Sequence, residues 1–268
     1  MKENEEKKFA IIEESKEVRI SVPDLSPKRI SSRTSGIMLN LRKNQKEVTK
    51  KAPKKKVDPE IQKLISILNE PNSGKEWTQV INEKNITIYK KTLPDCPVII
   101  IKGVALFEGI PYDIMWKALA DANLRKSWET LFLNFESVET RPDGTELIYY
   151  SMKAPFPVQD RDFLQRKTVL HDYPAKGQVL LHFVSVESDK KPPLKKYVRA
   201  NTMVAGYLIK ELSKFPLRCS ISLVNQVDLK GSIPKYLINM FAANGSRDWV
   251  NSYKEGCIKL LAQRNIQN

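Results

Sequence analysis

Residues 227–241 read VDLKGSIPKYLINMF, and this stretch decides the fold because it carries the chain from a strand pattern into a closing helix. Ser232 is a favourable residue to cap that helix, and Pro234 lies in its first turn. Asn244 and Gly245 would interrupt and kink it. The large apolar face of the helix consists of Ile233, Leu237, Phe241, Trp249 and Tyr253, followed by Ile258, Leu260 and Leu261. The pattern predicts one long C-terminal helix.

Strand patterns dominate the chain before this helix. Asp58-Pro59-Glu60 predicts the start of a first helix, and Pro111 opens a second helical stretch. Gly206 predicts a bend or a split within the longest strand pattern. The predicted strands are residues 77–80, 86–91, 98–107, 132–140, 146–152, 162–170, 178–187, 197–212 and 218–229. A long helix packed on an antiparallel sheet is an α+β architecture.

Charge is distributed unevenly along the 268 residues. Of the net charge of +14, more than half comes from residues 1–57, which hold 16 Lys or Arg and 8 Asp or Glu. Because this segment lacks durable periodicity, we predict a disordered basic tail over 1–57 and a single folded domain over 58–268. Such a tail suits an acidic partner such as an anionic membrane surface, although a solubilising tail explains the composition equally well.

Several classes of protein find no support in the sequence. No run of about 18 apolar residues would span a membrane, and the N-terminal MKENEEKK lacks the apolar core of a signal peptide. Three scattered cysteines without metal spacing suit a reducing cytosol, so we predict a cytoplasmic protein with no metal and no cofactor. Without a phosphate loop, a nucleophile elbow or a nucleic-acid motif in the folded part, we predict neither an enzyme nor a nucleic-acid-binding protein.

The segment NLRKSWE, residues 123–129, holds the most informative side chains. Arg125 and Glu129 lie one helical turn apart on a predicted short helix. On the surface such a pair is an ordinary salt bridge, whereas inside an apolar cavity the arginine is a fork that can grip a phosphate. The segment alone leaves both interpretations open.

Three segments in this order resemble the START family of lipid-binding domains. They are NLRKSWE, then KAPFPVQDRDF at 153–163, then VDLKGSIPKYLINMF, and the resemblance covers roughly residues 58–264. It implies a helix-grip fold. In that fold a curved antiparallel sheet of about nine strands wraps around the long C-terminal helix, with a lipid tunnel between them. Asp160-Arg161-Asp162 would then hold a loop and a strand in place rather than perform chemistry.

The NLRKSWE segment looks most similar to the phosphatidylcholine-transfer branch of the family. That likeness implies that Arg125 contacts the lipid phosphate, with Glu129 standing where an aspartate is usual. Tyr150 and Phe163 fall on positions of aromatics around the choline group, although plain core packing explains them equally well. Phosphatidylethanolamine or broad phospholipid binding fits the residues as well as phosphatidylcholine. The remaining expected lipid contacts are Met152, Asn201, Asn225, Leu237 and Phe241.

The resemblance therefore implies a monomeric carrier that moves one glycerophospholipid between membranes and associates with them transiently. The final helix would be the lid, with loops 154–160 and 230–233 beside it. Phe156, Val158 and Ile233 would contact the membrane. The alternatives are a lipid sensor or scaffold, or a carrier of a sterol or ceramide, with the basic tail as membrane or partner tether.

Overall fold

The computed structural model describes residues 58–73, 76–233 and 244–267. The predicted tail 1–57 and the expected lipid contacts Leu237 and Phe241 lie outside these residues. The described helices are α1 (Pro59–Asn69), α2 (Tyr112–Ala120), α3 (Ala122–Trp128) and α4 (Ser246–Gln267). The strands are β1 (Trp77–Glu83), β2 (Ile86–Leu93), β3 (Cys96–Glu108), β4 (Phe132–Thr140), β5 (Glu146–Met152), β6 (Arg161–His171), β7 (Gln178–Ser185), β8 (Val198–Arg199), β9 (Asn201–Lys214) and β10 (Leu217–Asp228).

One sheet contains all ten strands, which confirms the α+β fold class. Nine of them follow the order β1-β2-β3-β10-β9-β7-β6-β5-β4 with antiparallel pairing, and the two-residue β8 pairs with β6 in parallel. The turn between β4 and β5 closes with a 2.8 Å hydrogen bond from the Arg141 N–H to the Thr145 carbonyl. The sheet is therefore open, with β1 and β4 at its two edges.

Helix α1 begins as the sequence predicts. The Asp58 side chain accepts a 2.9 Å hydrogen bond from the Glu60 backbone N–H, and Pro59 is the first helical residue. The apolar stripe of α1 packs on one face of the sheet, where it forms a core with residues such as Leu180 and Leu208. This helix therefore covers the face of the sheet that points away from the larger core.

Strand β9 corrects one prediction. It runs through Gly206 without a break, and the interruption falls at Ala200, between β8 and β9. A Cβ atom at Gly206 would lie 2.3 Å from Leu64 Cδ2 and 2.5 Å from the Leu181 carbonyl oxygen. Glycine is required here because α1 packs closely against the strand.

The larger core lies on the opposite face of the sheet, beneath α2, α3 and α4. Trp128 at the end of α3 packs against Gly256 of α4, where an added Cβ would lie 2.5 Å from the indole Cγ. Tyr253 donates a 2.7 Å hydrogen bond to the Met115 carbonyl of α2. These contacts seat α4 on the two short helices and leave its N-terminal end beside the functional site.

Part of the predicted final helix is confirmed. Asn244 and Gly245 adopt a π-helical conformation immediately before α4, while the stretch from residue 234 to residue 243 is outside the described residues. Trp249 and Tyr253 face the core as predicted, but Ile258 is half exposed and lies off the buried face. Among the described residues, no helix combines the length and apolarity needed to cross a membrane.

Candidate functional site

A cavity of about 580 Å³ lies between the sheet and the helices α3 and α4. Eight of the residues predicted as lipid or membrane contacts line it: Arg125, Glu129, Tyr150, Met152, Val158, Phe163, Asn225 and Ile233. Asn201 and Phe156, which the structure also describes, do not line it. The fold thus brings residues from six separate elements and loops together around one cavity.

Helix α3 positions the charged pair. The Asp121 side chain caps this short helix by accepting hydrogen bonds of 2.8 Å and 3.0 Å from the N–H groups of Asn123 and Leu124. The helix ends at Glu129, whose N–H donates to the Arg125 carbonyl at 3.0 Å. Both charged residues are buried, with Arg125 7% and Glu129 5% exposed. The surface salt bridge is therefore the wrong interpretation of this segment.

Aromatic rings surround the Arg125 guanidinium. Its central carbon lies 5.4 Å from the ring of Phe132, 5.5 Å from that of Phe183 and 6.0 Å from that of Tyr207. Ring faces attract a cation, and this attraction grows when water is excluded. The buried Nε of Arg125 has no hydrogen-bond partner. The site therefore holds a cation whose hydrogen-bonding capacity is not fully used.

Glu129 has a different partner from the one expected. Within the described residues, no ion pair of 4.0 Å or less joins it to Arg125. Its Oε2 instead accepts a 2.7 Å hydrogen bond from the Trp249 indole N–H of α4. Glu129 is the residue at which α3 ends, and its ψ of 89° turns the chain that follows out of the helix. Burial raises the pKa of Glu129, against the opposing effects of the Arg125 charge and the Trp249 N–H.

Stacked aromatics form one wall of the cavity. The rings of Tyr150 and Phe163 lie 4.6 Å apart at an interplanar angle of 10°, and Phe135 stacks on the other face of Tyr150 at 5.8 Å. Tyr207 stacks on Trp249 at 5.0 Å and 8°. Burial raises the pKa of Tyr150, so its hydroxyl keeps its proton. Tyr150 and Phe163 therefore pack on each other and line the cavity at the same time.

The Asp160-Arg161-Asp162 segment fixes the chain next to the cavity. Asp160 accepts a 2.8 Å hydrogen bond from the Ala154 N–H, and Arg161 donates to the carbonyls of Leu229 at 3.2 Å and Lys230 at 3.0 Å. Asp162 accepts two hydrogen bonds from Arg199, at 3.0 Å and 2.8 Å. These contacts tie loop 153–160 to the end of β10, which agrees with the predicted structural role.

The aromatic lining residues that the sequence does not predict as site residues are Phe132, Phe183, Tyr207 and Trp249. Trp249 was assigned only to the apolar face of the final helix. Strand alternation alone would have placed Phe183 and Tyr207 on buried faces, and the register pairs Phe183 with Ala205 and Tyr207 with Leu181. Which buried face borders a cavity is set by the position of α4, and no sequence signal marks it.

Comparisons with known proteins identify the family. Residues 64–259 match the family model described as the START domain, so the chain belongs to the START domain family. It is 26% identical to mouse START domain-containing protein 10 over 202 residues, which is 75% of this chain and 68% of that protein. It is 24% identical to human ceramide transfer protein over 192 residues, 65% of this chain but only 30% of that protein.

Two solved structures share the fold. The crystal structure of human STARD10 superposes with a TM-score of 0.68 at 24% identity, covering 78% of this chain and 83% of that one. Human StAR-related lipid transfer protein 5 superposes with a TM-score of 0.67 at 16% identity, covering 75% and 94%. Together with the sheet order and the C-terminal helix, these likenesses confirm the START-like architecture.

Proposed function

We propose that this chain binds one glycerophospholipid, of the phosphatidylcholine or phosphatidylethanolamine type, in the cavity and transfers it between membranes. The observation that carries the proposal is the buried Arg125, whose Nε lacks a partner at the edge of an aromatic cavity. Lipid transfer is also what the names of two relatives state, the ceramide transfer protein and StAR-related lipid transfer protein 5.

The phosphate assignment follows from the cost of burying a charge. An arginine removed from water without a compensating anion costs several kcal/mol. A phosphate can accept two parallel charge-assisted hydrogen bonds from one guanidinium, which suits the unused Nε of Arg125. Glu129 is buried beside it and supplies one negative charge when ionised. One cation and one anion suit a headgroup whose own net charge is zero.

Both headgroups find matching side chains in the cavity. The rings of Phe132, Phe183 and Tyr207 already face the guanidinium, whereas Tyr150 and Phe163 form a flat stack. A trimethylammonium group could lie over the flat stack by cation–π attraction. A primary ammonium could donate hydrogen bonds, which the Glu129 carboxylate could accept.

Transfer requires that the acyl chains never meet water. Each methylene exposed to water costs about 0.8 kcal/mol, so two long chains cost on the order of 20 kcal/mol. The cavity must therefore open only at a bilayer. Phe156 is 96% exposed in the loop whose neighbours Pro155 and Val158 line the cavity, and Ile233 lines it from the chain after β10. We propose that these residues contact the membrane, with the final helix and the two loops as lid.

The basic tail completes the proposal. Its charge suits an anionic leaflet, where each basic residue near the surface contributes about 1 kcal/mol. The same proposal places the domain boundary near residue 58. It also describes the protein as a cytoplasmic monomer that associates transiently with membranes.

Native mass spectrometry of the purified full chain, read for its bound lipid, tests the ligand. We expect a phospholipid, whereas sterol or ceramide in its place would contradict the assignment. Arg125→Ala should abolish extraction of labelled phosphatidylcholine and phosphatidylethanolamine from vesicles with the fold intact by circular dichroism. Lys126→Ala, at an exposed position of the same helix, is the matched control and should extract lipid normally.

A transfer assay separates a carrier from a sensor. Labelled phospholipid should move from donor to acceptor vesicles faster in the presence of the chain. A protein that binds the lipid without accelerating exchange would be a sensor or scaffold, and the transfer function would be wrong.

A further inference from the structure

The hairpin between β9 and β10 carries an exposed aromatic residue at its tip. Phe215 is 95% exposed, and Leu212 beside it is 51% exposed. The turn is closed locally, since Lys214 pairs with Leu217 and the Ser213 hydroxyl donates a 2.6 Å hydrogen bond to the Pro216 carbonyl. An aromatic ring that protrudes from a fixed turn can contribute little to folding of the domain.

The tip lies at the opposite end of the sheet from the cavity loops. Strand β10 begins at the hairpin, and the residues just after its other end, Leu229 and Lys230, are those that bind Arg161 beside the cavity. Twelve residues of strand span about 40 Å. Phe156 and Phe215 therefore mark two separate apolar points at the two ends of one strand.

Cations accompany the apolar tip. On β9, Lys210 lies opposite Ser220 of β10, and beyond the register shift at Leu212, Ser213 lies opposite Arg218 and Lys214 opposite Leu217. Arg218 follows on β10, 4.0 Å from the carboxylate of Glu108. Glu211 lies opposite Cys219, whose side chain belongs to the larger core. The tip thus combines two exposed apolar side chains with the three cations Lys210, Lys214 and Arg218, against the two acids Glu108 and Glu211.

We propose that hairpin 212–218 is a second membrane-contact site that inserts Phe215 and Leu212 into an anionic bilayer. A convex tip offers a folded partner no groove, whereas the interfacial region of a bilayer accepts aromatic rings and places lysine and arginine beside lipid phosphates. The chain would then contact membranes at both ends of the sheet, at points independent of the lipid held in the cavity.

A fluorophore at the tip tests this directly in the full chain. Phe215→Cys is labelled with a nitrobenzoxadiazole dye in a Cys96→Ser background, because Cys219 and Cys257 are buried. With vesicles of phosphatidylcholine and phosphatidylserine, the emission should shift to the blue and be quenched by spin labels on the acyl chains. With vesicles of phosphatidylcholine alone, the emission maximum of the dye should stay at its value in water.

The charge requirement has its own variant. Lys214→Gln in the labelled chain should weaken the vesicle-induced shift by about fivefold in apparent affinity. Lys63→Gln removes the same charge from an exposed position of α1 and should leave the shift unchanged.

Three outcomes would overturn the proposal. The first is an emission maximum that keeps its value in water when anionic vesicles are added. The second is an equal shift with both vesicle compositions. The third is a shift that grows with protein concentration in the absence of vesicles, which would indicate that the tip binds a second copy of the chain. A dye placed at Phe156→Cys reports the cavity loop separately, so insertion there without insertion at Phe215 would overturn only the hairpin site.

Discussion

The indole N–H of Trp249 donates a 2.7 Å hydrogen bond to the Glu129 carboxylate and thereby joins α4 to the end of α3. The same indole stacks on Tyr207, one of the rings that face the Arg125 guanidinium. The closing helix and the charged pair are therefore mechanically connected.

Trp249→Phe keeps most of the ring contact and removes the donor. Because hydrogen bonds to charged groups contribute about 2 kcal/mol, we expect the free energy of unfolding to fall by about that amount. The pKa of Glu129 should rise further, because the indole N–H that lowers it against the effect of burial is lost. Urea denaturation measures the first effect. In a Glu129→Leu background, Trp249→Phe should lower the free energy of unfolding by much less. An equal loss in that background would contradict the stabilising role of the hydrogen bond to Glu129.

Glu129→Gln should change which phospholipid the cavity selects. Without the carboxylate the site keeps only the positive charge of Arg125. The bound fraction of anionic phosphatidylglycerol should therefore rise relative to that of zwitterionic phosphatidylcholine. Native mass spectrometry after incubation with vesicles that contain both lipids in equal amounts measures the ratio. Glu136→Gln makes the same charge change at an exposed position on β4 and should leave the ratio unaltered. An identical ratio in both variants would argue against a role of Glu129 in headgroup selection.

Gly206→Ala should destabilise the domain by about 2 kcal/mol through overpacking. The new Cβ would meet the Leu181 carbonyl oxygen at 2.5 Å, and that backbone atom cannot move aside as the end of a side chain can. Thermal or urea unfolding measures the loss. Gly103→Ala serves as the control, because its Cβ would meet only Leu223 side-chain atoms, at 3.1 Å or more, and should cost less.

His182 should make stability depend on pH. It is buried beneath α1 with neither ring nitrogen hydrogen-bonded, and burial, assisted by the nearby Arg166 charge and opposed by Asp58, lowers its pKa from 6.5 to about 4. As pH falls below 6.5 the unfolded chain binds a proton that the folded chain does not. Stability is therefore lost between pH 6.5 and 4, by about 3 kcal/mol in total.

His182→Leu should remove this part of the pH dependence while leaving stability near neutral pH equal or greater. His171→Leu is the comparison, at an exposed position at the end of β6. Urea denaturation of the three proteins across this pH range measures the difference. A wild-type slope that persists in His182→Leu would show that another group is responsible.

Local patterns in the sequence were enough for most of the fold. The capping residue, the proline and the apolar stripe of α1 act within one or two helical turns, so they can be read without the tertiary structure. The bounds of β4 and β5 were predicted because a strong turn signal separates two alternating runs. Gly206 was misread because the atoms that require a glycine belong to Leu64 and Leu181, which are distant in sequence.

The sequence by itself determined the strands, the flanking helices and the presence of Arg125 and Glu129 near the end of a short helix. Only the tertiary structure decided their partners. Trp249 is 120 residues from Glu129, and the rings around Arg125 come from three different strands or their ends. Periodicity fixes which face of an element is buried, whereas sheet register and helix seating fix which buried side chains meet.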